Sequence, residues 1–185
     1  MSTTIQDTGL RTGTWIVDPE HSHVGFSVKH LGIATVHGSF SEYNGKIIVD
    51  KDGSFLVDGM VGTKSVYTGN KNRDIHIRSD EDFFQVERYP FIHLRADEIQ
   101  PAGKGMYVIY GELSLHGRQR KVEWQMYLNG YATDPAGKER MGISVEGRLN
   151  RKDWNMDWNQ LLEVGGFLVS DQVRLHMDFS LILQS

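Results

Sequence analysis

The chain contains no cysteine. That excludes disulfides, thiolate nucleophiles and thiolate metal ligands. Proline is scarce, at four in 185 residues, so little in the sequence interrupts backbone ladders. Long apolar runs are missing too: no segment approaches the roughly 20 apolar residues of a membrane-spanning helix. Met1–Arg11 offers only Ile5 and Leu10 as apolar residues, without the basic start and apolar stretch of a secretory signal. The expectation as written is a disordered lead-in over residues 1–12, a single domain over 13–185, and a soluble, cytoplasmic protein without stable membrane insertion. An excess of positive charge is also lacking, with 20 Lys and Arg against 24 Asp and Glu and a net charge of −4. A nucleic-acid partner, which asks for a basic stripe, is therefore not expected. There is no dinucleotide fingerprint, and Gly165-Gly166 is followed by no lysine that would make a phosphate cradle.

What the chain has instead is alternation. In the stretch Asp18 to His30, Val24, Phe26, Val28 and His30 fall on alternate positions, with Gly25, Ser27 and Lys29 between them. A period of two marks a half-buried strand, and Pro19 delays its start to about residue 21. The same rhythm predicts strands over 13–17, 35–49, 55–66, 91–99, 106–115, 121–131 and 140–150. Gly38 and Gly45 are expected bulges or bends in the second of these. The cleanest alternation closes the chain, with Val173, Leu175, Met177, Phe179 and Leu181 against Arg174, His176, Asp178 and Ser180. Asp52-Gly53, His116-Gly117 and Pro135-Ala136-Gly137 are turn signals. Residues 68–79 break the rhythm. Asn70 is a candidate N-cap, and Asp74 and Arg78 are spaced to pair at i, i+4, which predicts one short helix. Residues 150–166, with Trp154 and Trp158, suit either a helical turn or a loop packed over a barrel end. About eight antiparallel strands suggest a sandwich or an up-and-down barrel. A barrel of that size either fills with side chains or holds one small ligand.

Several motifs in fixed order carry a resemblance. They are Asp18-Pro19-x-His21-Ser22, Val24-x-Phe26-x-Val28-x-His30 and Val36-x-Gly38-x-Phe40. Ser65, Thr68, Arg73-Asp74-x-His76-x-Arg78-Ser79, Phe83-Phe84 and Tyr89-Pro90 follow. Gly111-x-Leu113-Ser114-Leu115-His116-Gly117, Asn150-Arg151-x-Asp153, Gly165-Gly166 and Val169-x-Asp171-x-Val173 complete the set. From Gly13 onward the chain resembles the YceI-like family of lipocalin-like, polyisoprenoid-binding proteins, and Gly13-x-Trp15 resembles the opening signature of lipocalins. The resemblance implies an all-β, lipocalin-like extended antiparallel barrel with one short helix at an end. It also implies a homodimer, no required cofactor, and a bound isoprenoid lipid, either a polyprenyl chain or an isoprenoid quinone, as the partner. Trp154-Asn155 departs from the family's usual Phe-Gly. Asparagine tolerates the left-handed turn, while the larger ring is expected to shorten or plug the tunnel.

The expected tunnel wall is Val24, Phe26, Val28, His30, Phe40, Phe83, Phe84, Leu94, Trp124, Met126, Ile143, Leu175, Met177 and Phe179, with Trp154 at its end. Ile75 and Arg78 are placed at the mouth. The apolar faces alone suit a filled core equally well, since cores and ligand cavities use the same residue types. No catalytic residue is assigned, and a non-catalytic lipid-binding role, in storage or transport, is favoured. The alternative is a metal-dependent enzyme. His21 and His23, read as sharing one strand face, have a spacing that can hold a divalent metal if His37 or Glu20 supplies a third ligand. His30, on the apolar face, reads as a hydrogen-bonded core histidine rather than a metal ligand, and His93, His116 and His176 as bland polar positions.

Overall fold

A computed structural model describes residues 8–185. The first seven residues of the expected lead-in lie outside the described residues. Residues 8–12 form no regular element, yet Leu10 packs against the core. The Arg11 carbonyl accepts the Trp15 indole N–H at 3.1 Å.

Eleven strands form one antiparallel sheet that closes on itself. They are β1 (Gly13–Val17), β2 (His23–His30), β3 (Ala34–Phe40), β4 (Tyr43–Val49), β5 (Phe55–Gly62), β6 (Val66–Tyr67), β7 (Phe91–Gly103), β8 (Met106–Leu115), β9 (Arg118–Thr133), β10 (Glu139–Asn150) and β11 (Val169–Leu183). Six of them pair off as three interrupted staves. β1 and β2 both pair with β11, β3 pairs with β2 while β4 pairs with β1, and β6 pairs with β3 while β5 pairs with β4. The result is an eight-stave barrel, closed by the pairing of β1 with β11.

The interruptions have local causes. Pro19 opens a 3-10 turn, Pro19–His21, which the Asp18 carboxylate caps by accepting the Glu20 N–H at 3.1 Å. His21 therefore leaves the strand that the sequence pattern gave it. The breaks at 41–42 and 63–65 share one residue. The Ser65 hydroxyl accepts the N–H groups of Ser41 and Glu42 at 3.2 and 3.0 Å and donates to the Gly62 carbonyl at 2.8 Å. Gly38 and Gly45, by contrast, sit in unbroken register opposite Phe26 and Gly59 and form no bulge. The chain bends where ladder bonds pass to a side chain, not where glycine occurs.

The two halves of the barrel are built differently. Around β1, β4, β8 and β9 the interior is filled: Trp15, Met126, Met141 and Leu181 are at most 1% exposed. At the other end β6 separates from β7, and residues 68–90 occupy the gap. Helix α1 (Lys71–Ser79) lies there, capped by the Asn70 side chain, which accepts the Arg73 N–H at 2.9 Å. The expected Asp74–Arg78 pair does not form. Buried Asp74 accepts the Thr68 N–H and hydroxyl at 2.9 and 2.6 Å, while Arg78 donates to the Val66 carbonyl at 2.6 Å. Both side chains pin the helix to β6 and the residue that follows it rather than to itself. The same end carries the turn at 31–33, the two-residue turn His116-Gly117 (φ 50° and 71°, as a tight hairpin needs) and the segment 151–168. No helix among the described residues is long and apolar enough to cross a membrane.

Candidate functional site

Toward the end that carries α1, inward-facing side chains fail to fill the barrel. A cavity of about 390 Å³ remains. Its wall comes mainly from inward, alternate residues of β2, β3, β7, β8, β9, β10 and β11, which the period-two pattern positions directly, together with the consecutive residues 43–47 of β4 and 57–61 of β5. Phe26, Val28, Leu94, Val173, Leu175 and Met177 all face inward, yet each stays partly accessible because it borders space rather than another side chain. Val173 to Leu181 along β11 is about 26 Å of strand, so the lined surface is long as well as apolar. Two inward glycines, Gly45 and Gly59, leave backbone bare on the wall.

Fourteen of the expected wall residues lie on this cavity: Val24, Phe26, Val28, His30, Phe40, Phe83, Phe84, Leu94, Trp124, Met126, Ile143, Leu175, Met177 and Phe179. Three do not. Ile75 points to solvent, 52% exposed, because the inner face of α1 is taken by Asp74 and Ile77. Arg78 is bound to the β6 backbone. Trp154 is 2% exposed in the filled core. Its indole donates to the Leu113 carbonyl at 3.1 Å and its carbonyl meets His116 Nδ1 at 2.9 Å, so it does not plug the cavity. Asn155 takes the left-handed turn at φ 57°, as expected of asparagine. His30 borders the cavity, and among the described residues its ring has no hydrogen-bond partner, unlike the core histidine anticipated.

The mouth was not legible in the sequence. Trp158 stacks on Phe83 with ring centroids 5.1 Å apart, and His76 meets both rings edge-on at 5.1 and 5.4 Å. His76 Nε2 lies 3.0 Å from Asp80 Oδ2. Arg151 is the one cavity-lining cation that is fully buried among the described residues. Burial pushes its pKa down, and its guanidinium donates to the carbonyls of Met156 and Ser170 at 2.5 and 3.0 Å. Those bonds tie the segment 151–170 together and leave the cavity without a free charge from this residue.

The proposed histidine pair does not assemble. His21 stands in the 3-10 turn, where its Nδ1 lies 2.8 Å from Asp18 Oδ2, while His23 lies over Gly25 on the outer face of β2. The ligand atoms of Asp18, Glu20 and His21 fall within 4.8 Å of one another. Asp18 is already engaged, however. Arg140 donates to the same Oδ2 at 2.7 Å and holds that carboxyl below the usual carboxylate range. His93, expected to be bland, sits 2.6 Å from Asp58 and is the main cause of the lowered pKa of that carboxyl.

Comparison with known proteins fits this architecture. The family described as YceI-like domain matches residues 15–181. The chain belongs to the YceI-like family. UPF0312 protein YE1254 of Yersinia enterocolitica is 32% identical over 139 residues, which is 74% of this chain and 71% of that protein. Among solved structures, the YCEI protein of Campylobacter jejuni superposes with a TM-score of 0.71 at 26% identity, over 91% of this chain and 97% of that one. A polyisoprenoid binding domain from Saccharophagus degradans superposes with a TM-score of 0.69 over 94% of this chain and all of that one, at 13% identity. The last shares the YceI-like fold.

Proposed function

We propose that this YceI-like barrel binds an isoprenoid chain in its cavity and carries it through water without making or breaking a bond. The observation that carries the reading is the row of apolar side chains that face inward and border space. A filled core would have closed over them. The cavity volume falls at the small end of the ordinary range for ligand sites, roughly 300–1,000 Å³. Burial of each methylene contributes about 0.8 kcal/mol. Ten such groups contribute about 8 kcal/mol, enough for roughly micromolar binding before ordering costs are subtracted. No hydrogen bond is needed, and a polyprenyl or quinone head group would rest at the mouth beside His76 and Trp158. The polyisoprenoid binding domain with the same fold supports this choice of ligand class.

Mass spectrometry of the protein from its own source, under native and then denaturing conditions, tests the reading. A mass excess released as an isoprenoid on denaturation is the expected result. An excess equal to a divalent ion, lost on His21→Ala, would overturn it in favour of metal chemistry. A protein without excess that also fails to take up added farnesol would overturn it as well.

A further inference from the structure

The two ends of the barrel carry different side chains. At the end where the core is filled, the turns read Asp50-Lys51-Asp52-Gly53, Lys104-Gly105 and Asp134-Pro135-Ala136-Gly137. At the cavity end, two loops display Leu31, Ile33, Leu161, Val164 and Phe167. All five are exposed, Ile33 at 84% and Val164 at 94%. The loops are joined: the Leu31 N–H donates to the Leu168 carbonyl at 2.9 Å, and Val169 pairs with His30. The longer loop is closed on itself by a bridge between Leu161 and Phe167 and by the Leu162 N–H on the Gly166 carbonyl at 3.0 Å. His30, Leu168 and Val169, at the base of both loops, are also cavity wall. The exposed apolar surface is therefore continuous with the interior one.

Scattered exposed leucines are ordinary in soluble proteins, but a cluster on adjoining loops at one end is not. Its shape limits what covers it. The side chains stand on narrow turn tips, at glycines with φ between 71° and 90° (Gly32, Gly165, Gly166). Such tips sink into a soft interface. They do not make the flat patch of about 800 Å² that a stable protein partner needs. Charges of both signs stand beside them, Lys29, Arg151 and Lys152 with Asp153, Asp157, Glu163 and Asp171, so they form no basic patch.

We propose that these two loops dock the barrel on a lipid bilayer, with the cavity mouth turned to the membrane surface. The choice of a bilayer rests on the lipid-carrier reading, since a guest insoluble in water must enter from a lipid phase. The lack of a local positive excess and a net charge of −4 imply that apolar insertion drives docking and that anionic lipid is not required.

The test is flotation of the full chain with phosphatidylcholine vesicles, with and without phosphatidylglycerol. The wild type is expected to float with both. The double variant Ile33→Asp/Val164→Asp is expected to lose roughly tenfold or more of the bound fraction, and Ala136→Asp, at the opposite end, none. Neither of the two loop residues lines the cavity, so uptake of farnesol delivered from detergent should be equal in the wild type and the double variant. A wild type that does not float, or a double variant that floats equally well, overturns the proposal. If the wild type instead self-associates through a contact that the double variant breaks, the loops belong to an interface between copies and docking is overturned. Farnesol uptake is read separately. Its absence removes the carrier reading, whereas loss of flotation alone removes only the docking.

Discussion

The tip of the Phe26 ring occupies the space that a Cβ would take on Gly38, its direct partner across β2 and β3. Trp124 repeats the arrangement with the pyrrole edge of its indole over Gly147. In both cases glycine lets an aromatic ring lie against the wall and not stand across the cavity, a known way to keep a sheet position covered without a side chain of its own. Gly38→Ala is therefore expected to drive the Phe26 ring inward, at an overpacking cost of about 1–3 kcal/mol. Phe26→Leu in the same background should recover most of the lost melting temperature. Thermal melts of the two single variants and the double variant decide it. Additive losses would mean that the ring and the glycine are not coupled.

Gly59 presents the opposite case. It too faces inward, but a Cβ there would meet only the Asn44 carbonyl oxygen, at 3.9 Å. Gly59→Leu should place a side chain in the empty part of the cavity and bury it, with melting temperature kept and farnesol uptake lost. The same steric logic argues against widening Met126 as a test. Met126 is 1% exposed, so a larger side chain there would strain the filled half of the barrel and confuse eviction with unfolding. Uptake equal to wild type in Gly59→Leu would show that the guest does not occupy this part of the barrel.

Much of this was legible in the residues. β1, β8, β10 and β11 follow from alternation alone, because each has one face on the interior and one in water. Asn70 marked the start of α1 through its capping chemistry. Of the staves that break, the first was legible through Pro19, but the other two were not, since the Ser65 hydroxyl that bridges their breaks acts between strands and leaves no periodic trace. Nor could Ile75 be placed: the inward face of a short helix is decided by what Thr68 and Val66 offer Asp74 and Arg78. The mouth depends on Trp158 reaching His76 across more than 80 positions of sequence, a contact that only the closed barrel creates.

The carboxylate of Asp74 serves both the backbone N–H and the hydroxyl of Thr68, and Arg73 adds bonds to the Thr68 hydroxyl and carbonyl at 2.7 and 2.6 Å. Asp74→Ala would leave a buried N–H and hydroxyl without that acceptor, at a cost of about 1–3 kcal/mol. The damage should be local. Hydrogen exchange is expected to rise across 68–79 while β8 to β10 stay protected, and guest release should quicken because α1 borders the mouth. Uniform loss of protection over the whole barrel would show that the helix and the barrel unfold as one unit.

Acid should act at a different place. The Arg140 guanidinium holds the Asp18 carboxyl below its ordinary value, and His93 does the same for Asp58. The Asp134 carboxyl is lowered first by the Lys138 N–H and then by Arg140. In the unfolded chain these groups titrate near 3.9. Between the lowered folded value and the unfolded one, the unfolded chain binds more protons, so stability rises with pH across that window. The contribution is thus complete above about pH 5, and it is lost as pH falls through the folded values. Melting temperature should be level from neutral to about pH 5 and fall steeply below about pH 4. Asp18→Asn should lower the plateau and make the acid limb shallower, because the variant has no proton to gain at that position. Melts of both proteins across this range check the sign. An acid limb of unchanged slope in Asp18→Asn would mean that the Asp18–Arg140 pair does not link folding to pH.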